Sequence, residues 1–244
     1  MRIPELLAPV GSMDHLKVAI NAGASSVYLS GKDYGARKFA ENFTLDEICD
    51  AVNTAHLHNV KVYVTVNTLI KQDELEEVMN YLSKLYAIGV DAVLVQDLGL
   101  VDLIGKHLPN LNIHASTQMT AENQLKLDYI EEKGIKRIVL PREMRKEEIM
   151  QLKTNMELEI FVHGALCVSE SGLCLFSSFL GGKSANRGMC TQACRRYYNA
   201  NSRGGEEQGF YFSPCDLQLI EHIPDLIQAG VESFKIEGRM KSAE

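Results

Sequence analysis

Apolar residues along this chain fall into two alternating patterns. Short, nearly continuous apolar runs occupy residues 5–10, 26–30, 61–66, 92–96, 112–116, 137–140, 158–162 and 233–236. A strand with one face in water alternates apolar and polar side chains. Runs that are apolar throughout predict strands covered on both faces, as in parallel sheets. Between most of these runs the apolar spacing widens to that of one helix face. It predicts helices over 14–22, 44–58, 73–88, 100–107, 120–133 and 217–229. Thr44 with Glu47 three residues on is a capping box. Gly89 and Gly134 read as C-terminal caps, and Gly23 and Gly230 also follow helical segments.

Eight strand-then-helix units in 244 residues have the count and size of a (β/α)8 TIM-type barrel. A doubly wound open sheet is the alternative and would need fewer strands. We expect one barrel domain over 1–244, with two departures. A long insertion, 164–212, follows strand seven. The sequence ends at Glu244 just after strand eight, so the eighth helix is missing. An uncovered strand flank would expose apolar surface, so the expectation is a longer protein or another covering element.

Barrel chemistry sits where the strands end. Those ends here carry Asn67, Gln96, His114, Gln118, Arg142, His163, Glu237 and Arg239. We expect them to converge at one mouth, with His114, His163 and Glu237 as acid–base candidates. Arg142 and Arg239 are candidates for gripping a carboxylate, or for rim ion pairs with Glu143 and Glu237. Asn67, Gln96 and Gln118 would complete a substrate pocket. Each histidine could equally be a buried one satisfied by hydrogen bonds.

Five of the six cysteines, Cys167, Cys174, Cys190, Cys194 and Cys215, fall within one fifth of the chain, inside or beside the insertion. Scattered core cysteines do not cluster in this way; a thiolate ligand set does. No Cys-x-x-Cys pair exists, which disfavours a zinc knuckle. Tyr197 stands where a radical S-adenosylmethionine site would have its third cysteine. Widely spaced thiolates suit a [4Fe–4S] cluster, with a structural zinc as the alternative. Cys49 lies alone on an apolar helix position and reads as core.

Net charge is −7 and the pI about 5.6, so no global basic field advertises nucleic-acid binding. No apolar run reaches membrane-spanning length, and no signal peptide precedes the first strand. The expected compartment is the cytoplasm, where clustered cysteines serve metals rather than disulfides.

The segment Glu159-Ile-Phe-Val-His-Gly-Ala-Leu-Cys-Val-Ser-Glu-Ser-Gly-Leu-Cys-Leu-Phe-Ser177 closely resembles the signature of the collagenase-like peptidase family, whose catalytic type is unknown. Phe176 departs from the aliphatic residue of the signature. Leu7-Ala-Pro-Val-Gly11, His114-Ala-Ser-Thr-Gln118, Ala185-Asn-Arg-Gly-Met-Cys190 and Phe234-Lys-Ile-Glu-Gly-Arg-Met-Lys-Ser242 extend the likeness over essentially the whole chain. The resemblance implies oxygen-independent hydroxylation of a tRNA or rRNA base or of a ubiquinone precursor. It also implies a [4Fe–4S] cluster on four cysteines and prephenate as oxygen donor. By position Cys167, Cys174 and Cys190 are three ligands. Relatives often carry the fourth in Asp-Leu-Cys, where this chain has Gln218. Cys215 is taken as its replacement, with Cys194 as the alternative. The ubiquinone branch implies a second subunit of the same family, so assembly with itself or with such a relative is part of the expectation.

RNA is the expected partner. The stretch 181–203 carries Lys183, Arg187, Arg195, Arg196 and Arg203 without one acidic residue, beside Tyr197 and Tyr198. Arg187, Arg195 and Arg196 are the candidates for the backbone, with a tyrosine stacking a base. An ordinary solvated loop, or arginines balancing a thiolate-bound cluster, would read the same way. The alternative activity is a peptidase or metal-dependent hydrolase built on His114, His163 and Glu237. The chain has no His-Glu-x-x-His and no Gly-x-Ser-x-Gly. A metal with a purely structural role is a third reading.

Overall fold

The computed structural model describes residues 3–202 and 205–243. Seven strands come first: β1 (Glu5–Pro9), β2 (Ser26–Ser30), β3 (Lys61–Val66), β4 (Ala92–Val95), β5 (Ile113–Ala115), β6 (Arg137–Val139) and β7 (Glu157–Ala165). A hairpin of β8 (Tyr198–Ser202) and β9 (Gly205–Gly209), a short β10 (Asp216–Gln218) and finally β11 (Val231–Ile236) follow. β1 to β7 pair in sequence order, all parallel, and β11 closes the ring between β7 and β1. The result is the expected closed eight-stranded parallel barrel, with β11 as its eighth strand.

Seven helices lie between the barrel strands or in the excursion after β7 and precede the last one: α1 (Met13–Asn21), α2 (Leu45–Leu57), α3 (Leu75–Ile88), α4 (Leu98–His107), α5 (Gln124–Glu132), α6 (Lys146–Ile149) and α7 (Phe176–Gly181). α8 (Ile223–Gln228) leads into β11, and no helix follows β11 among the described residues. The capping box forms as read: Glu47 N–H donates to Thr44 Oγ1, and Thr44 N–H to the Glu47 carboxylate at 2.7 Å. Gly89 caps α3 in the left-handed conformation, φ +90°.

Strand alternation divides the core in two. Val27, Leu29, Val62, Val64, Val93, Val95, Ile138 and Ile160 face outward and pack under the helices, where Ile48, Leu82, Leu100 and Leu127 meet them, all four wholly buried. Each such side chain contributes roughly 1.5–3 kcal/mol. Leu7, Tyr28, Tyr63, Ala92, Leu94, Val139 and Phe161 form a smaller cluster. They occupy the alternate, inward positions of the same strands.

Two predicted helices are corrected. Residues 217–229 are not one helix. β7 runs on to Ala165, past its parallel partners, and leaves an open edge that Asp216–Gln218 pairs antiparallel. A 3-10 turn, Ile220–His222, then leads into the shortened α8, with a proline in its first turn. The helix predicted from Thr120 starts only at Gln124. Thr120 is left-handed, φ +52°, and Asn123 supplies the cap. The lone Cys49 is only half-buried. No helix among the described residues is long and apolar enough to cross a membrane.

Candidate functional site

A cavity of about 140 Å³ opens at the carboxyl ends of the barrel strands. Its walls come from almost every strand: Tyr28, Thr65 and Asn67, Leu94, Ser116 to Gln118, Val139 and Arg142, Phe161, Lys235, Glu237 and Arg239. Arg37 and Cys167 close its rim. Of the expected mouth residues, Asn67, Gln118, Arg142, Glu237 and Arg239 meet here. Asn67 is held rigid: its amide donates to Ser116 Oγ at 3.3 Å and its carbonyl accepts from Ala36 N–H at 3.0 Å.

Gln96, His114 and His163 do not line the cavity. His114 is 6% exposed and lies deeper, edge-on to Tyr63 with ring centroids 4.7 Å apart. β5 ends only at Ala115, so the histidine is inside the barrel rather than on its rim. Burial, reinforced by the charge of Arg137, holds its pKa well below the usual imidazole range, and its Nδ1 has no partner among the described residues. His163 is exposed, and its main-chain carbonyl accepts from Glu237 N–H at 2.9 Å. Gln96 is buried, with an unpartnered Oε1.

Charge dominates the cavity. Arg239 is 9% exposed and Arg142 mostly buried, yet neither guanidinium donates a hydrogen bond to any described residue. Arg142 stacks on the Phe161 ring at 3.8 Å, and Arg239 lies over Tyr28 at 5.8 Å. Burial lowers both pKa values, that of Arg239 to about 10, against the opposing pull of nearby Tyr28 and Glu237. Glu237, the one acid lining the cavity among the described residues, is 4.0 Å from Arg37. Guanidinium donors that face a cavity without a protein acceptor suit the carboxylate of a ligand.

Below this layer lies a second ionic one. Arg137 is 3% exposed and binds the carboxylates of Glu5, Glu157 and Glu159. Lys235 Nζ meets Glu159 at 2.9 Å. Sequence reasoning missed Lys235, Tyr28 and Arg37. The visible signal was a lysine inside a buried run, Ser-Phe-Lys-Ile.

The insertion folds over the mouth. Ser171 N–H donates to Glu143 at 2.6 Å, so Glu143 anchors the loop instead of pairing with Arg142. Gly172 packs so tightly that an added Cβ would stand 2.5 Å from the Gln118 carbonyl oxygen. Arg187 grips Glu74 and the Leu69 carbonyl. Arg195 donates to the carbonyls of Leu166 and Pro214 and clips the two ends of the excursion together. These two arginines are engaged by the protein itself, whereas Arg196 is exposed. Lys183 lies over the Phe39 ring, Tyr197 meets Phe210, and Tyr198 stacks on Phe176. Arg203 lies outside the described residues.

The Cys194 thiol is pushed up first by burial and then by Cys167 and Cys190, with Cys174 also contributing. Those four sulfurs therefore share one neighbourhood. Cys215 is exposed and is not among the leading influences on Cys194. No three His, Cys, Asp or Glu side chains among the described residues stand close enough to hold one metal ion. Thiols are the donors that an iron–sulfur cluster takes, and they serve zinc as well.

The model of peptidase family U32 matches residues 11–244. The chain is 39% identical to a tRNA hydroxylation protein of Bacillus subtilis over 98% of its length and 59% of that protein's. It is 40% identical to a 23S rRNA 5-hydroxycytidine synthase of Escherichia coli, over 97% of this chain and 36% of the synthase. It thus spans less than two thirds of each. A solved structure described as the U32 peptidase Mk0906 superposes with a TM-score of 0.65 at 16% identity, covering 98% of this chain and 94% of that one, which shows the fold alone.

Proposed function

This chain belongs to peptidase family U32, and from that premise we propose that it hydroxylates a base of tRNA or rRNA without molecular oxygen. The supporting observation is the pair of guanidiniums, half-buried Arg142 and buried Arg239, without a hydrogen-bond acceptor among the described residues in a cavity that Cys167 also lines. Such a site suits a small dicarboxylate beside a redox centre. Prephenate is the oxygen donor we propose.

Cys167, Cys174, Cys190 and Cys194 would hold a [4Fe–4S] cluster, with Cys215 as the alternative fourth ligand. Bound there, it would supply one-electron transfer at the edge of the cavity. The protein's own part is binding and orientation. Arg142 and Arg239 take one carboxylate each, bidentately. Asn67, held by Ser116 and Ala36, positions a polar group of the donor. Glu237 holds or releases a proton at the mouth. Replacing a C–H of the base by C–OH is a two-electron oxidation, so the donor accepts two electrons as it gives up its oxygen. RNA approaches across the insertion, where Arg196 is the exposed arginine.

The hydrolase reading draws less support. His114, His163 and Glu237 are not gathered around one point, and His114 is a neutral, buried imidazole. The test is incubation of the anaerobically reconstituted protein with undermodified RNA and prephenate, followed by nucleoside mass spectrometry. A pyrimidine gaining one oxygen atom, dependent on prephenate and lost in R142M, is expected. Unchanged RNA with cleavage of a peptide substrate would overturn the proposal.

A further inference from the structure

Lys235 is the buried nucleophile that binding alone does not use. It is 3% exposed, one residue before the end of β11, and lines the same cavity as Arg142 and Arg239. Its inward neighbours along the strand are Ser233 below and Glu237 above, so it stands between the ionic layer and the mouth. Among the described residues, one of its three ammonium hydrogens has an acceptor, Glu159 Oε1 at 2.9 Å. The Tyr28 and Phe161 rings flank it at 4.5 and 5.3 Å. Both rings are also cavity walls.

A lysine needs its charge disfavoured before it can act as a nucleophile, and apolar walls with neighbouring cations do this. Here burial lowers the Lys235 pKa, with Arg137 and Arg142 adding to it and Glu159 opposing. A structural lysine would need only its carboxylate partner and no access to a cavity. An amine facing a pocket with two unpaired guanidiniums is complementary to a carbonyl flanked by carboxylates.

We propose that Lys235 forms an iminium with the carbonyl carbon of a 2-oxo acid held by Arg142 and Arg239. This rests on the anion-pocket reading above and names the ligand class as 2-oxo dicarboxylates. The ammonium gives a proton to Glu159, and the freed amine forms a C–N bond to the ketone carbon. Glu159 returns the proton to the carbinol oxygen, which leaves as water with a second hydrogen from nitrogen. One hydrogen stays on the iminium, and no electrons are gained or lost. The iminium fixes the keto end of the ligand at the cavity floor, so the opposite end faces the mouth.

The experiment is trapping with cyanoborohydride, using prephenate and 2-oxoglutarate as probes and glutarate as the carbonyl-free control. The readouts are peptide mass mapping and, separately, calorimetric binding. The expected result is one reduced adduct at residue 235 with a 2-oxo probe and none with glutarate. K235R, which keeps the charge against Glu159, should bind the probes but form no adduct. Binding of the probes by the wild type without an adduct at Lys235 overturns the iminium and leaves the anion pocket standing. Failure of the wild type to bind any of the three anions overturns both.

Discussion

Replacing Arg239 by methionine should stabilise the unliganded protein while removing its response to a dicarboxylate. Burial takes the guanidinium from its ordinary 12.5 down to about 10. The charged form is therefore disfavoured in the fold by roughly 3 kcal/mol at neutral pH. The sign follows from linkage. Between about 10 and 12.5 the unfolded chain binds more protons, so stability rises with pH across that window, and at pH 7 the full penalty is present. Methionine removes the penalty and fills similar space, at the loss of about 0.5–1 kcal/mol from the contact over Tyr28. A net gain of about 2 kcal/mol corresponds to a rise in Tm of roughly 4–8 °C for a chain of this size. Binding moves the other way. One charge-assisted pair is worth about 1.5–3 kcal/mol, or roughly 10- to 150-fold in Kd. Thermal unfolding followed by circular dichroism at pH 7, with and without prephenate, reads both effects. The wild type should gain Tm with ligand; R239M should start higher and gain little. A lower starting Tm together with an undiminished ligand shift would refute the reasoning.

Other substitutions probe separate layers. R137M removes the cation shared by three carboxylates, of which Glu159 is wholly buried and keeps Lys235, and should cost about 3–5 kcal/mol by urea unfolding; a loss below about 1 kcal/mol would mean the ionic layer is not structural. G164A adds a Cβ 2.7 Å from Glu237 at φ +113°. It should cost about 1–3 kcal/mol and weaken prephenate binding, whereas an unchanged Kd would detach Glu237 from the site. T44A breaks the α2 capping box far from the mouth and should cost about 0.5–2 kcal/mol with no change in prephenate affinity. C194A should abolish cluster loading on reconstitution and C215A spare most of it; the reverse outcome would make Cys215 the fourth ligand.

The barrel was legible because its strands are buried on both faces and stand out as apolar runs. α6 (Lys146–Ile149) is too short to show a helical period, and in the β8–β9 hairpin Tyr198 is the one residue with strong strand preference among Asn, Ala, Ser, Gly, Glu and Gln. The helix predicted over 217–229 failed because an edge left open by β7 captured residues 216–218, a tertiary effect that no local window contains. At the strand ends, Asn67, Gln118, Arg142, Glu237 and Arg239 line one cavity, as their positions after the strands led us to expect. His114 misled because the boundary of β5 decides whether a residue is rim or core. Lys235 and Tyr28 were hidden by the same apolar runs that revealed the strands. Spacing left both Cys215 and Cys194 open as the fourth thiol; of the two, Cys194 is half-buried and Cys215 exposed.

A redox cluster beside an anion pocket is tested most directly by the iron, acid-labile sulfide and zinc content of anaerobically purified protein. About four irons and four sulfides per chain with broad visible absorption near ~400 nm, lost in C167A, are expected. One zinc per chain without sulfide, in protein never exposed to air, would contradict the cluster.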